Sequence, residues 1–332
     1  MRDIAELAGV SKMTVSRALR GNDSVSAEAR RRIQAAIDKT GYVADELAAS
    51  FSTGRSGFIA VVIPSIDNSN FSQTIAGISD TLEAAGKQIL LADTDYSVEK
   101  EEKLVRTLLG RRPEGIIVTG GSHTENTRKL LKQSDIPVVE MWDLPPNPIG
   151  HCIGFSHAQA SADMVRFLAD KGYRNLAFIG GATTRDTRGA DRRRGFIKAL
   201  KELGLPDGRI ITFGDPPITV DQGAAAVVQL LELYPETDAA ICVSDLSAFG
   251  AIMECRRRGI DVPGRLAITG FGDFEIARAC FPSITTIGCD WKKLGRNAAM
   301  QILTSLQAKE EGEIEPPSMI LSEYRILRRE SA

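Results

Sequence analysis

The sequence predicts an α/β protein: a small three-helix head followed by two lobes of parallel β-sheet. Three observations predict it. The first 43 residues hold three short amphipathic patterns, the first two joined by a glycine turn. Residues 44–56 ("ADELAASFSTGRS") are a short connection of low complexity. From residue 57 onward, apolar runs alternate with amphipathic helical patterns to the end of the chain.

In the head, "DIAELA" (3–8) reads as one helix and Gly9–Val10 as its turn. Ser11 caps a second helix that runs to about Leu19. Ala5, Leu7, Ala8, Val15, Ala18 and Leu19 are expected to supply a small core. Ser26 caps a third helix that turns Ile33, Ala36 and Ile37 inward, and Gly41 stops it. Three helices in so short a span, with a tight turn between the first two, match helix-turn-helix geometry. The second helix, "KMTVSRAL", is polar and basic on its outer side, which suits a phosphate backbone as well as it suits water.

The second region opens on "GFIAVVIPS" (57–65), a nearly uninterrupted apolar strand, and a helix over about 70–85. "QILLADT" (88–94), the helix "VEKEEKLVRTLLGRR", "EGIIVTGG" (114–121), a helix near 125–133 and "IPVVEMWD" (136–143) continue the alternation. "CIGFSH" (152–157), a helix at 158–171, "NLAFIGG" (175–181), a helix at 190–203 and "RIITFG" (209–214) follow. A helix at about 220–233, "AAICVS" (239–244), a helix at 246–258 and "RLAITGFGD" (265–273) complete the set. Strands that are apolar along their whole length are buried on both faces, as parallel sheets covered by helices require. The units exceed one small sheet. The expected domains are a 1–43 head, a 44–56 hinge segment, a 57–155 lobe and a 156–285 lobe. Residues 286–332 supply a crossover, a helix and a closing strand. On pattern alone, a single barrel or a nucleotide-binding enzyme accommodates the same alternation.

Composition narrows the class. With 43% hydrophobic and 25% charged residues, the 332-residue chain reads as soluble and globular. Residues 1–60 carry a net charge of +2 and the remainder −4, which places any nucleic-acid partner at the N-terminal end. Five cysteines (Cys152, Cys242, Cys255, Cys280 and Cys289) are scattered without a CxxC, as suits a reducing cytoplasm. The N-terminus has no apolar run of the signal-peptide kind, and no stretch is long enough to span a bilayer. A cytoplasmic protein without a membrane partner is expected.

An enzyme finds little support. The glycine pairs at 120–121 and 180–181 follow strands, but neither completes GxGxxG or GxxxxGK[ST]. In "GFGDF" (270–274), Phe274 stands where a third glycine belongs. His123, His151 and His157 lack metal-ligand spacing, and His151 and Cys152, adjacent in the chain, do not aim at each other. No catalytic residue, cofactor or metal is expected. Acidic residues at strand ends (Asp93, Asp143, Asp245 and Asp273) sit where open α/β sheets bind ligands. They serve an enzyme or hold polyol hydroxyls equally well.

With the head and two α/β lobes in hand, the chain resembles the lactose-repressor family of bacterial transcription regulators over essentially its whole length. "DIAELAGVSKMTVSRALRGNDSVSAEARRRI" is similar to that family's DNA-binding head, and the second region resembles a periplasmic-type sugar-binding protein. Within the family, "VSKMTVSR", "IPVVEMWD", "GFSHAQA", "AAICVSD", "GAIMECRRRGIDVP" and "AITGFGDFEIA" look most like gluconate-utilisation repressors.

For the head, the resemblance implies that Lys12, Met13 and Arg17 meet base edges in the major groove. A Lys or Arg suits guanine O6/N7, and Met offers apolar contact to a thymine methyl. Ser11, Thr14 and Ser16 hold phosphates and set the register. In the connection, the family's Pro-Asn, Ala-Arg and intercalating leucine correspond to Ala44, Asp45, Ala48, Ala49 and Phe51. Phe51 is expected as the apolar wedge in the minor groove, while the missing arginine removes one minor-groove cation.

For the lobes, the resemblance implies an effector between them, at the C-terminal strand ends. The first lobe offers Ser65, His123 in the loop after "GIIVTGG", then Glu140, Trp142 and Asp143, with Phe155 at the crossover. The second offers Arg192, Ser244, Asp245 and Asp273. Arg192 matches the family's effector arginine, whereas Arg193 and Arg194 read as solvated. Two positions depart from the family: Gly272 replaces a frequent ligand-binding aspartate, and Ser244 a frequent asparagine. An arginine facing a carboxylate favours a sugar acid such as gluconate. The expected partners are double-stranded operator DNA, bound as a homodimer on a near-palindrome, and a sugar or sugar-acid effector that releases it. A neutral-sugar effector, a corepressor, or a sugar-processing enzyme are the alternatives. Residues 308–332 carry two prolines and no leucine heptads, so a dimer rather than a tetramer is expected.

Overall fold

The computed structural model describes residues 1–19, 24–42, 56–182, 185–313 and 315–332. It separates into two compact units, Met1–Ser56 and Gly57–Ala332.

The first unit is built from α1 (Arg2–Ala8), α2 (Lys12–Leu19) and α3 (Ala27–Thr40). Gly9, at φ 64°, closes α1 in the left-handed conformation that glycine adopts without strain. Ser11 Oγ then accepts the Thr14 N–H at 3.1 Å, satisfying a free donor in the first turn of α2. Ser26 does the same for Ala29 ahead of α3. Ile4, Ala5, Ala8, Val15, Ile33 and Ala36 form the buried core. Two expected core residues are outside it: Leu7 is 52% and Leu19 39% exposed. At 3.6 residues per turn, Leu7 falls to the side of the stripe shared by Ile4, Ala5 and Ala8. Along α2 the core reaches only to Ala18.

The second unit begins with β1 (Phe58–Ile63), α4 (Ser69–Ala84), β2 (Gln88–Asp93), α5 (Val98–Leu109) and β3 (Gly115–Thr119). α6 (Glu125–Gln133), β4 (Val138–Trp142) and β5 (His151–Gly154) follow. The next series is α7 (His157–Asp170), β6 (Leu176–Gly180), α8 (Thr187–Glu202), β7 (Ile210–Thr212), α9 (Val220–Leu233) and β8 (Ala239–Cys242). Then come α10 (Asp245–Arg257), β9 (Ala267–Phe271), α11 (Glu275–Ala279) and β10 (Thr285–Cys289). α12 (Trp291–Glu310), β11 (Met319–Leu321) and β12 (Tyr324–Leu327) close the chain.

These strands make two open sheets rather than one barrel, in the orders β11-β5-β4-β3-β1-β2 and β12-β10-β9-β8-β6-β7. Pairing is parallel except at β10–β12, which is antiparallel. The tail differs from expectation in giving one strand to each sheet instead of a single closing strand. The chain therefore passes between the sheets after β5, after β10 and after β11. Their aromatic residues meet there, with the Phe155 ring 6.1 Å from Trp291 and 5.3 Å from Tyr324. α12 returns to the first lobe and crosses α4 at backbone contact. A Cβ on Gly77 would stand 2.1 Å from Lys292 O, and one on Gly295 2.0 Å from Thr74 O. Among the described residues no helix is long and apolar enough to cross a membrane.

Candidate ligand cleft and nucleic-acid interface

Parallel sheets expose the C-terminal ends of their strands to the loops that precede the helices, and ligand sites form there. In this unit the ends of β1, β2 and β4 face those of β6, β8 and β9 across a narrow cleft. Three helices begin at its wall. Asn68, Asp186 and Ser244 are the N-caps of α4, α8 and α10, and each accepts a backbone N–H from its own first turn. Their N-terminal ends direct positive potential into the cleft.

Of the sequence-predicted effector residues, Trp142, Arg192 and Ser244 line this cleft. Trp142 stacks on Trp291 at 4.3 Å and contacts Phe71 at 4.4 Å. Its φ of 81° is strained for a bulky residue, a conformation that proteins hold mainly at functional sites. Arg192 donates to His157 Nδ1 at 3.1 Å, lies 3.7 Å from Asp186 Oδ2, and sits 4.4 Å over the Phe271 ring. Burial, together with the like charge of Arg188, lowers its pKa against the pull of Asp186. Because arginine only donates, His157 Nδ1 accepts, and its Nε2 carries the hydrogen, 3.2 Å from Asp143 Oδ1. Burial lowers the His157 pKa and keeps the ring neutral.

Asp143 stands at the margin, outside the cleft lining. It accepts the Gly121 N–H at 3.3 Å. Burial opposes its charge, but His157 and Arg188 outweigh that and hold its pKa below the usual carboxylate value.

The remaining predicted residues are placed elsewhere, each for a visible reason. Ser65 is buried, and its Oγ accepts the Asp67 N–H at 3.2 Å in the loop after β1. Phe155 is buried in the aromatic cluster of the crossovers. His123 and Glu140 belong to a closed cluster inside the first lobe. The His123 Nδ1 lies 2.6 Å from Glu101 Oε1 and its Nε2 3.6 Å from Glu140 Oε1. Burial alone would lower the imidazole pKa, but the two carboxylates raise it to about 9. Asp245 is fully buried at the start of α10, where it accepts from Phe274 N at 2.7 Å and Thr286 Oγ1 at 2.5 Å. Burial pushes its pKa up to about 6. Asp273 turns away from the cleft and pairs with Arg329 at 2.5 Å.

The departure at Gly272 is also structural. Its carbonyl accepts from Asn70 Nδ2 at 2.9 Å and from Trp291 Nε1 at 2.7 Å. A Cβ there would stand 2.5 Å from the Phe274 ring and 2.6 Å from Asn70 Nδ2, so no aspartate fits without displacing both.

Sequence reasoning missed Asn68, Asn70, Phe71, Tyr96, Asp186 and Arg188, which line the cleft as well. "DNSNF" does carry a capping signal that places a helix start after β1. Arg188, in the first turn of α8, reads in sequence like any solvated charge. Asn70 Oδ1, Trp142 Nε1 and Arg192 Nε are buried without a hydrogen-bond partner among the described residues. Two of these atoms donate and one accepts, which matches a polyhydroxylated ligand.

In the first unit, the outer side of α2 presents Ser11, Lys12, Met13 and Arg17 to solvent, with Met13 61% exposed. Thr14 and Ser16 are half-buried beside them. Part of this face is already engaged, since Ser11 Oγ and Thr14 Oγ1 lie 2.9 Å apart as the cap of α2. The Phe51 wedge, with Ala44, Asp45, Ala48 and Ala49, lies outside the described residues.

Comparison with known proteins bears on both units. The profile described as bacterial regulatory proteins, lacI family, matches residues 1–45. That of the periplasmic binding protein-like domain matches residues 165–332. The HTH-type transcriptional regulator GntR of Pseudomonas aeruginosa is 35% identical over 310 residues, covering 93% of this chain and 90% of that protein. The HTH-type transcriptional regulator IdnR of Escherichia coli is 32% identical over 307 residues, 92% of either chain. A crystal structure of a LacI-family transcriptional regulator from Silicibacter pomeroyi is 32% identical with a TM-score of 0.91, covering 99% of this chain and 98% of that one.

Proposed function

Since this chain belongs to the lacI family of bacterial regulatory proteins, we propose that it represses transcription as a dimer on a near-palindromic operator and is released by a sugar acid of the gluconate kind. It is a DNA-binding transcription regulator and not an enzyme. Lys12, Met13 and Arg17 read bases; Ser11, Thr14 and Ser16 hold phosphates. Two protomers set two such helices into successive halves of the major groove, one helical turn apart.

The observation that carries the effector reading is the cleft itself. Arg188 and Arg192 reach into it beside three helix N-termini, with buried hydrogen-bonding groups on both walls. An acid group answers the cations, and hydroxyls answer Asn70, Trp142 and Ser244. The resemblance of the chain to gluconate-utilisation repressors supports the same class. Linkage requires the coupling to run both ways: an effector that loosens DNA binding is itself bound less tightly by the operator complex.

The test titrates full-length protein with D-gluconate, keto-sugar acids and neutral hexoses, with and without a pseudo-palindromic duplex at fixed salt. A sugar acid that binds and weakens the DNA complex is the expected result. Binding of neutral sugars alone refutes the effector class, and tight acid binding with unchanged operator affinity refutes the switch.

A further inference from the structure

Arg188 and Arg192 stand one turn apart on α8 and both reach the cleft, yet their surroundings differ. Arg192 is compensated from within the second lobe by Asp186, by His157 and by the Phe271 ring. Arg188 is only 6% exposed and makes no hydrogen bond and no ion pair among the described residues. Its guanidinium faces rings of the first lobe instead, 5.6 Å from the Phe71 centroid and 6.0 Å from that of Tyr96. The carboxylate on that side, Asp143, attracts the Arg188 charge without bonding to it, being held by Gly121 N–H and standing against His157. Arg188 thus presents its guanidinium in a buried position where aromatic faces and the Asp143 charge lie near it but no group pairs with its five N–H donors. A guanidinium in that state gains most from a carboxylate, which takes two parallel hydrogen bonds at once. The N-terminus of its own helix, α8, adds positive potential at the same place.

We infer that Arg188 is the residue that holds the acid group of the effector and makes the cleft select for an anion, while Arg192 offers its unpartnered Nε to a hydroxyl and shapes the second-lobe wall. This rests on the sugar-acid reading above and names the group that enforces it. It also gives the anion a part in closure. Arg188 belongs to the second lobe, and Phe71 and Tyr96 to the first. A carboxylate on Arg188 therefore stabilises the arrangement in which the two lobes meet. A neutral sugar of the same size leaves the guanidinium unpaired in that arrangement, and the buried charge opposes it.

The experiment is calorimetric titration of the full-length protein with six-carbon aldonates and keto-aldonates and with the matching neutral alditols, which differ at the acid carbon. It compares wild type with Arg188→Met, Arg188→Lys and Arg192→Met, and thermal midpoints verify folding. Wild type is expected to prefer the acid by about 100-fold, the scale of a charged hydrogen-bonded pair. Arg188→Met should bring that ratio near one while alditol binding persists, and Arg188→Lys should restore part of it. Arg192→Met should weaken acid and alditol by similar factors. A ratio that survives in Arg188→Met, or that collapses in Arg192→Met instead, overturns the inference and leaves the effector reading intact. A wild type that prefers the neutral alditols overturns both.

Discussion

His123 offers a sharp prediction because its charge is set by two named carboxylates. In the folded chain it lies between Glu101 and Glu140, and its pKa is raised from 6.5 to about 9. A histidine with a raised folded pKa stabilises the fold fully below its unfolded pKa and loses that contribution as pH rises through the folded value. At about 1.4 kcal/mol per pH unit, the window from 6.5 to about 9 is worth roughly 3 kcal/mol. Other shifted groups bound the usable range: His151 and His157, lowered in the fold, act below about pH 7, and the buried thiols, with Cys152 and Cys289 pushed up to about 12, lose stability as the unfolded thiols ionise above about pH 8. The assay is urea unfolding between about pH 7 and 8, read by tryptophan fluorescence. Both tryptophans, Trp142 and Trp291, lie in the second unit, so the signal reports on that unit. Wild type should lose about 1 kcal/mol across that range. His123→Gln should be flat there and weaker at pH 7 by about 3–5 kcal/mol, because it leaves two buried carboxylates without their cation. Ligand binding in the cleft should stay within a factor of two or so, as His123 does not line it. A His123→Gln protein with the wild-type pH slope would refute the reasoning.

Further predictions follow from single contacts. Gly77→Val should lower the urea midpoint of the second unit by the equivalent of about 2 kcal/mol or more, since its Cβ would meet the Lys292 carbonyl at 2.1 Å. Asp245 has a folded pKa raised to about 6, so its burial costs stability as pH rises from about 4 to 6; Asp245→Asn should remove that part of the pH slope in thermal unfolding. Ser26→Ala removes the cap of α3 and should cost the head about 1 kcal/mol, seen as faster amide exchange in α3 of the full-length protein. Arg17→Ala should weaken operator binding by about 1–3 kcal/mol and relax sequence preference at one base pair; uniform weakening across sequences would make Arg17 a phosphate contact instead.

The head and the strand–helix alternation were legible because local signals carry them. Gly9, Ser11, Ser26 and Gly41 mark helix ends through their own backbone and side-chain chemistry, and apolar runs identify buried strands wherever they pack. The cleft was legible only in part. The rule that ligands sit at C-terminal strand ends points to the region where the cleft forms, and Trp142, Arg192 and Ser244 line that cleft. It did not say which way each side chain points. Glu140 and His123 lie within a few residues of the cleft, yet Glu101, brought over by α5, closes them into a buried cluster. Asp245 and Asp273 sit beside cleft residues, but Thr286 and Arg329 claim them from the far end of the chain.

By itself, then, the sequence determined what depends on neighbours along the chain: a helix-turn-helix head, two sets of parallel strands and a basic helix face. Tertiary structure alone decided which of the two cleft arginines on α8, Arg188 or Arg192, stays without a hydrogen-bonded partner. Their spacing puts both on the same side of one helix, and nothing local tells them apart. Asp186 and His157 reach Arg192, while Phe71 and Tyr96 arrive from the other lobe to cover Arg188. A charge is solvated, paired or left for a ligand according to what surrounds it in three dimensions, and those neighbours are distant in sequence.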